Sequence, residues 1–287
     1  MTRLIGTELF KLRKRLMTRV LLFVLIGLMV VIYMLLLAVS KVPLPAHAQD
    51  QINAQDIQNV LGLPTAIPFA LSLLSSFGTV LAVILTASSM GSEYGWGTIR
   101  TFLICSESRL KFLGAKLIAA IIMILVGMVI GVAAGFVMSL ITTAIGGYAF
   151  DFSFATGNFL WQQFVQFWRT FYVIMPYVLL GFLFAILGRS LMPGIAVGIG
   201  VFFLETIITV FMRAAGGWIA RVPNYLLSAN VDSITALNHL PAAFSQGPGG
   251  NAGQLPGVWH GAIVLLAYSL AFLMLGMFIF RRRDVTG

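Results

Sequence analysis

Six long apolar runs govern what this chain can fold into. A helix rises about 1.5 Å per residue, so roughly 20 apolar residues are needed to cross a hydrocarbon core about 30 Å thick. The runs are Val20 to Val39, Ile67 to Met90, Leu117 to Thr142, Phe171 to Leu187, Leu191 to Phe211 and Gly261 to Phe280. Only Gly188, Arg189 and Ser190 part the fourth from the fifth before Pro193 restarts the chain. The composition agrees: 59% of the 287 residues are hydrophobic and 9% charged, against about 25% charged in soluble domains. The expected fold is an all-α integral membrane protein, a single transmembrane domain over residues 1–287 with six spans.

The net charge of +9 does not point to nucleic acid, which calls for basic residues gathered on one polar face with aromatics to stack bases. Here the basic residues sit at the ends of the apolar runs, where they set orientation. With a cytoplasmic start, the inner segments 1–19, 91–116, 188–190 and 281–287 hold 14 of the 18 Lys and Arg, and only Lys41, Arg169, Arg213 and Arg221 lie outside. Both termini are therefore expected in the cytoplasm. The competing reading of the basic start is a signal peptide with Ala38 and Ser40 near its cleavage site. Its apolar run is too long for the roughly 7 to 15 residues such peptides use.

Ahead of the first span, Ile5, Leu9, Leu12 and Leu16 recur at helical spacing with Lys11 and Lys14 on the other side. This predicts an interfacial amphipathic helix whose basic face meets anionic lipid. Outside, residues 40–66 read as a Pro- and Asn-containing loop, and 212–260 as the longest outer segment, with a flexible turn at Gly247 to Gly253.

The loop at 91–116 carries the one pattern. It reads Gly91-Ser92-Glu93-Tyr94-Gly95-Trp96-Gly97-Thr98-Ile99-Arg100-Thr101-Phe102-Leu103, then Cys105-Ser106-Glu107-Ser108-Arg109, Lys111 and Lys116. Three glycines are expected to break the second span. Thr98 is placed to cap a short crosswise helix with Ile99, Phe102 and Leu103 on one apolar face, and Ser106 to cap the helix into the third span. The plainer reading is that basic residues and turn formers only hold register at the interface. That accounts for Arg100, Arg109, Lys111 and Lys116, but not for the apolar face or for Glu93 beside the membrane.

This pattern resembles the cytoplasmic loop of permease subunits of type-2 ATP-binding-cassette exporters: a Glu, a Gly-Thr-hydrophobic-basic step, Ser-Arg, and a Lys opening the third span. It matches at Glu93, Gly97, Thr98, Arg100, Ser108, Arg109 and Lys116, and departs at Cys105 to Glu107, where members often carry a Pro. The basic start, six spans and outer segment before the last span extend the resemblance over nearly the whole chain. It implies that Glu93, Gly97, Thr98, Ile99, Arg100, Phe102, Leu103, Ser108 and Arg109 belong to a coupling helix seated in a cleft of a separate ATPase. It further implies ATP and Mg on that partner, a second permease subunit, identical or related, and a multi-pass position in a prokaryotic cell membrane.

The chain lacks a Gly-x-x-x-x-Gly-Lys-Ser/Thr phosphate loop, a His-Glu-x-x-His zinc motif and a Gly-x-Ser-x-Gly elbow. A single cysteine, Cys105, supports neither a disulfide nor a metal set, and no bound cofactor or enzyme activity is expected. His47, His239 and His260 fall on the outer side, the latter two as interfacial hydrogen-bonding residues. Glu205 is the one acid within a span, and a buried acid in a membrane costs about 2 to 3 kcal/mol or more. It reads either as a functional group or as a packing lock with Thr209 one turn on. Gly127, Gly131 and Gly135 form a small-residue face for close helix approach.

The expected function is the permease subunit of an ATP-driven exporter of a hydrophobic or amphipathic substrate. The alternatives are a proton-coupled secondary transporter using Glu205, and a non-transporting membrane anchor or sensor.

Overall fold

The computed structural model describes residues 2–41, 54–95, 109–147, 153–238 and 255–282. Among the described residues all regular secondary structure is helical. Six helices are long and apolar enough to cross a membrane, one for each apolar run. A first helix, α1 (Thr2–Lys14), precedes the first long one, α2 (Leu16–Ser40). The short α3 (Ala54–Leu61) leads through a 3-10 turn (Leu63–Thr65) into the second, which is built from α4 (Ala66–Leu73), a π segment (Leu74–Gly78) and α5 (Thr79–Gly95). The remainder are α6 (Arg109–Gly146), α7 (Gly157–Leu187), α8 (Leu191–Ala215), a 3-10 stretch (Ile219–Tyr225), α9 (Leu227–Thr235) and α10 (Val258–Arg282).

Several helices outrun their apolar runs. Thr156 caps α7 by accepting from the Phe159 amide, so that the helix begins at Gly157, 14 residues ahead of the expected start at Phe171. The segment 157–170 is helical because Gln163, Gln166 and Thr170 are buried at one-turn spacing, with Gln166 donating to the Pro68 carbonyl. Residues 54–65, expected as loop, form α3 and a turn because Ile57, Val60 and Leu61 pack on Tyr33, Phe69 and Met138.

Gly91 does not break the second span, whose helix runs through it as far as Gly95. Gly91 is there for close approach instead: a Cβ on it would lie 2.4 Å from the Leu191 Cα, so α5 and the start of α8 touch backbone to backbone. Between helices in lipid no hydrophobic drive is available, and such contacts carry the stability through van der Waals packing. The same holds for α6 and the second span, where added carbons on Gly131 and Gly135 would strike Leu74 and Ala70. Gly127 departs from that expectation, since a Cβ there meets nothing within 4 Å.

The core centres on α7, which packs against α5, α8 and α10. At one end of the bundle Ala87, Met90, Phe112, Leu113, Ile186 and Phe280 close around it. At the other, α9 packs through Leu227 and Ile234 onto Val173, Tyr177 and Leu265. The Gly188 to Ser190 turn joins α7 to α8 as the sequence predicts, with Arg189 at φ 50° and Ser190 capping α8 through the Met192 amide.

Candidate functional site

Among the described residues, five charged side chains meet where α1, α5 and α6 come together. They form a chain of alternating sign. Lys11 Nζ lies 2.8 Å from Glu8 Oε1, Glu8 Oε2 lies 2.7 Å from Lys116 Nζ, Lys116 Nζ lies 2.9 Å from Glu93 Oε1, and that oxygen lies 3.1 Å from Arg15 Nη2. Lys116, at 1% exposure, is its centre. An ammonium has three protons and no acceptor, and Lys116 directs them to Glu8, Glu93 and the Ser89 carbonyl. Its Nζ also stands 5.2 Å from the Phe112 ring centre, one turn back.

The sequence of α5 prepares this contact. Its final turns carry Ser88, Ser89, Ser92 and Glu93, and the serine hydroxyls fold back onto their own helix, on Leu85, Thr86 and Ser88 carbonyls. Side chains this short leave the carbonyls open from outside. Arg15 Nη1 therefore reaches Ser92 Oγ at 2.7 Å and the Ser88 carbonyl at 3.4 Å. Burying so many charges is tolerable only because each acid contacts two cations, and removing one partner of a buried pair typically costs about 3 to 5 kcal/mol. The arrangement ties the start of α2, the end of α5 and the start of α6 into one unit.

Of the residues expected to couple, Glu93 is in this cluster, 2% exposed, facing Lys116 and Arg15 and not an open surface. Arg109 opens α6, with its side chain outside the described residues. Gly97, Thr98, Ile99, Arg100, Phe102, Leu103 and Ser108, like Ser106, lie outside them too.

At the far end of the bundle Glu205 and Thr209 converge on Ser228, not on each other. Glu205 Oε2 accepts from the Ser228 amide at 2.9 Å, and Thr209 Oγ1 is 3.1 Å from Ser228 Oγ. Helix α9 has Leu226 at its cap position, which supplies no side-chain acceptor. Glu205 thus caps α9 from a neighbouring helix, with its carboxyl oxygen at the positive end of the α9 dipole. Nearby, burial pushes the Asp232 carboxyl up to about 6, with Arg213 holding it back in part. His260 is hydrogen-bonded to the Asn224 carbonyl at 3.0 Å, and His239 and His47 lie outside the described residues. Among the described residues no three His, Cys, Asp or Glu side chains converge to hold a metal.

Residues 51–286 match the family described as protein of unknown function (DUF2705). The chain belongs to the DUF2705 family. A relative, the uncharacterized protein YhcI of Bacillus subtilis (strain 168), is 24% identical over 216 residues, 72% of this chain and 64% of that protein. The chain thus spans just under two thirds of that relative's length. The DUF2705 match includes Glu93 and Lys116, whereas Glu8, Lys11 and Arg15 precede it.

Sequence reasoning passed over Glu8. Its signal was there: Glu8 falls three residues after Ile5 and four before Leu12, in the middle of the apolar stripe of α1. An acid at that place on a stripe needs a cation from another element.

Proposed function

We propose that this DUF2705 protein is the membrane-spanning permease subunit of an ATP-driven exporter, as the resemblance of its 91–116 loop to type-2 ATP-binding-cassette permeases implies. The carrying observation is the buried ion chain that binds the end of the second span to the start of the third and to α1. A loop between two loosely held helix ends would absorb a push. A loop whose two roots are joined through Glu93 and Lys116 passes displacement on to α1 and three spans.

In this reading the basic end of the bundle faces the cytoplasm, in keeping with the positive-inside rule. Helix α1 lies along the interface there. The 91–116 loop carries the coupling segment that the resemblance implies, which enters a cleft of a soluble ATPase where ATP and Mg are bound. A second permease subunit completes the translocation route, and the cargo is hydrophobic or amphipathic.

The test is co-expression with a phosphate-loop ATPase encoded in a neighbouring reading frame, followed by co-purification and ATP turnover in liposomes. The expected result is a stable complex in which Arg100→Ala leaves assembly intact and lowers turnover about tenfold, as loss of about 1.4 kcal/mol of coupling would. Failure of the two chains to co-purify, or unchanged turnover in an intact Arg100→Ala complex, overturns the proposal.

A further inference from the structure

The geometry points to a binding site for one anionic glycerophospholipid in a groove between α2, the second span and α6. The groove encloses about 690 Å³, within the range of about 300 to 1,000 Å³ of small-molecule pockets. Its walls are apolar over most of their length. Leu74 and Leu85 both line it, and the eleven helical steps from one to the other give it a depth of about 16 Å. That is about half of a 30 Å hydrocarbon core, the depth of an acyl chain in one leaflet. Val126, another wall residue, is 45% exposed, so the groove opens sideways to lipid.

Charge selects the headgroup. Arg13, Lys14 and Arg19 all line the groove. Among the described residues the Arg13 and Arg19 guanidiniums have no acid or hydrogen-bond partner, and Lys14 only approaches the Phe10 ring. The contrast is with Lys11, Arg15 and Lys116, which occupy the acids Glu8 and Glu93. The neutralised cations are thus turned into the bundle, and three others are left at the mouth of an apolar slot. A phosphate at that mouth with its chain in the slot matches both features.

Two details of the walls support a ligand over simple helix contact. Gly131 and Gly135 are filled against by Leu74 and Ala70, but Gly127, on the same face and lining the groove, has open space where its Cβ would be. The facing wall contains the π segment Leu74–Gly78, a wide turn of the kind concentrated at functional sites. The site requires only that these helices span a bilayer, and stands apart from the transport proposal.

The experiment is native mass spectrometry of the full chain in mild detergent, titrated with dioleoyl phosphatidylglycerol or dioleoyl phosphatidylcholine. The expected result is one tightly held phosphatidylglycerol, preferred at least tenfold. Arg13→Gln/Lys14→Gln/Arg19→Gln should reduce that preference to twofold or less. Filling the slot with Gly127→Phe, or independently with Leu21→Trp, should remove the adduct with every charge in place. Arg281→Gln/Arg282→Gln, on exposed residues of α10, should leave it unchanged, and millimolar inorganic phosphate should not displace it. Equal binding of the two lipids, full retention in both slot-filled chains, an equal loss in the α10 variant, or displacement by free phosphate would each overturn the site.

Discussion

Lys116 shows how a single residue sets the stability of one end of the molecule. Its ammonium is fully buried between Glu8 and Glu93, so Lys116→Met should destabilise the protein by about 3 to 5 kcal/mol by leaving two acids undercompensated. Adding Glu8→Gln and Glu93→Gln to that variant should recover much of the loss, measured as thermal unfolding in detergent. A triple variant no more stable than the single one would mean that the charges are not what the lysine serves. Asp232 sets a pH dependence at the other end. The folded protein holds its proton up to about pH 6, against 3.8 ordinarily. Its stabilising contribution is therefore complete below pH 3.8 and lost as the pH rises through about 6. The melting temperature should fall between about pH 4 and 6 and level off above that, and Asp232→Asn should flatten that slope.

Among the elements, the second span departs furthest from its sequence reading. Glycine content suggested a helix ending near Gly91, and propensity gives that reading its force. The helix continues because the missing Cβ at Gly91 lets the start of α8 sit against it, a tertiary gain that propensity does not include. Gly91→Val should therefore be strongly destabilising, whereas Gly95→Ala, with nothing within 4 Å of the new carbon, should be neutral or mildly stabilising. Comparing the unfolding of the two variants separates close packing from helix breaking. The reach of α7 back to Gly157 has a similar origin, because Gln163, Gln166 and Thr170 look like loop residues until a neighbouring helix buries them.

For the whole molecule, orientation is the property most open to a direct check, because the chain has one cysteine. With the basic end inward, an impermeant maleimide should leave Cys105 unmodified in intact cells and label it after permeabilisation. A Cys105→Ser chain carrying Ser153→Cys should behave the opposite way. Labelling of Cys105 from outside would reverse the topology. The six spans were legible because a bilayer imposes a length and a polarity on any segment that crosses it, and both are written along one dimension of the chain. The ion chain was half legible: Glu93 stood out beside the membrane, but its partners lie 78 positions back at Arg15 and 23 onward at Lys116. The sequence by itself determined how many helices are long and apolar enough to cross a bilayer and where they begin to be apolar. Only the tertiary structure decided which charges neutralise one another and which are left facing a groove, because pairing depends on distances between helices that no local pattern encodes.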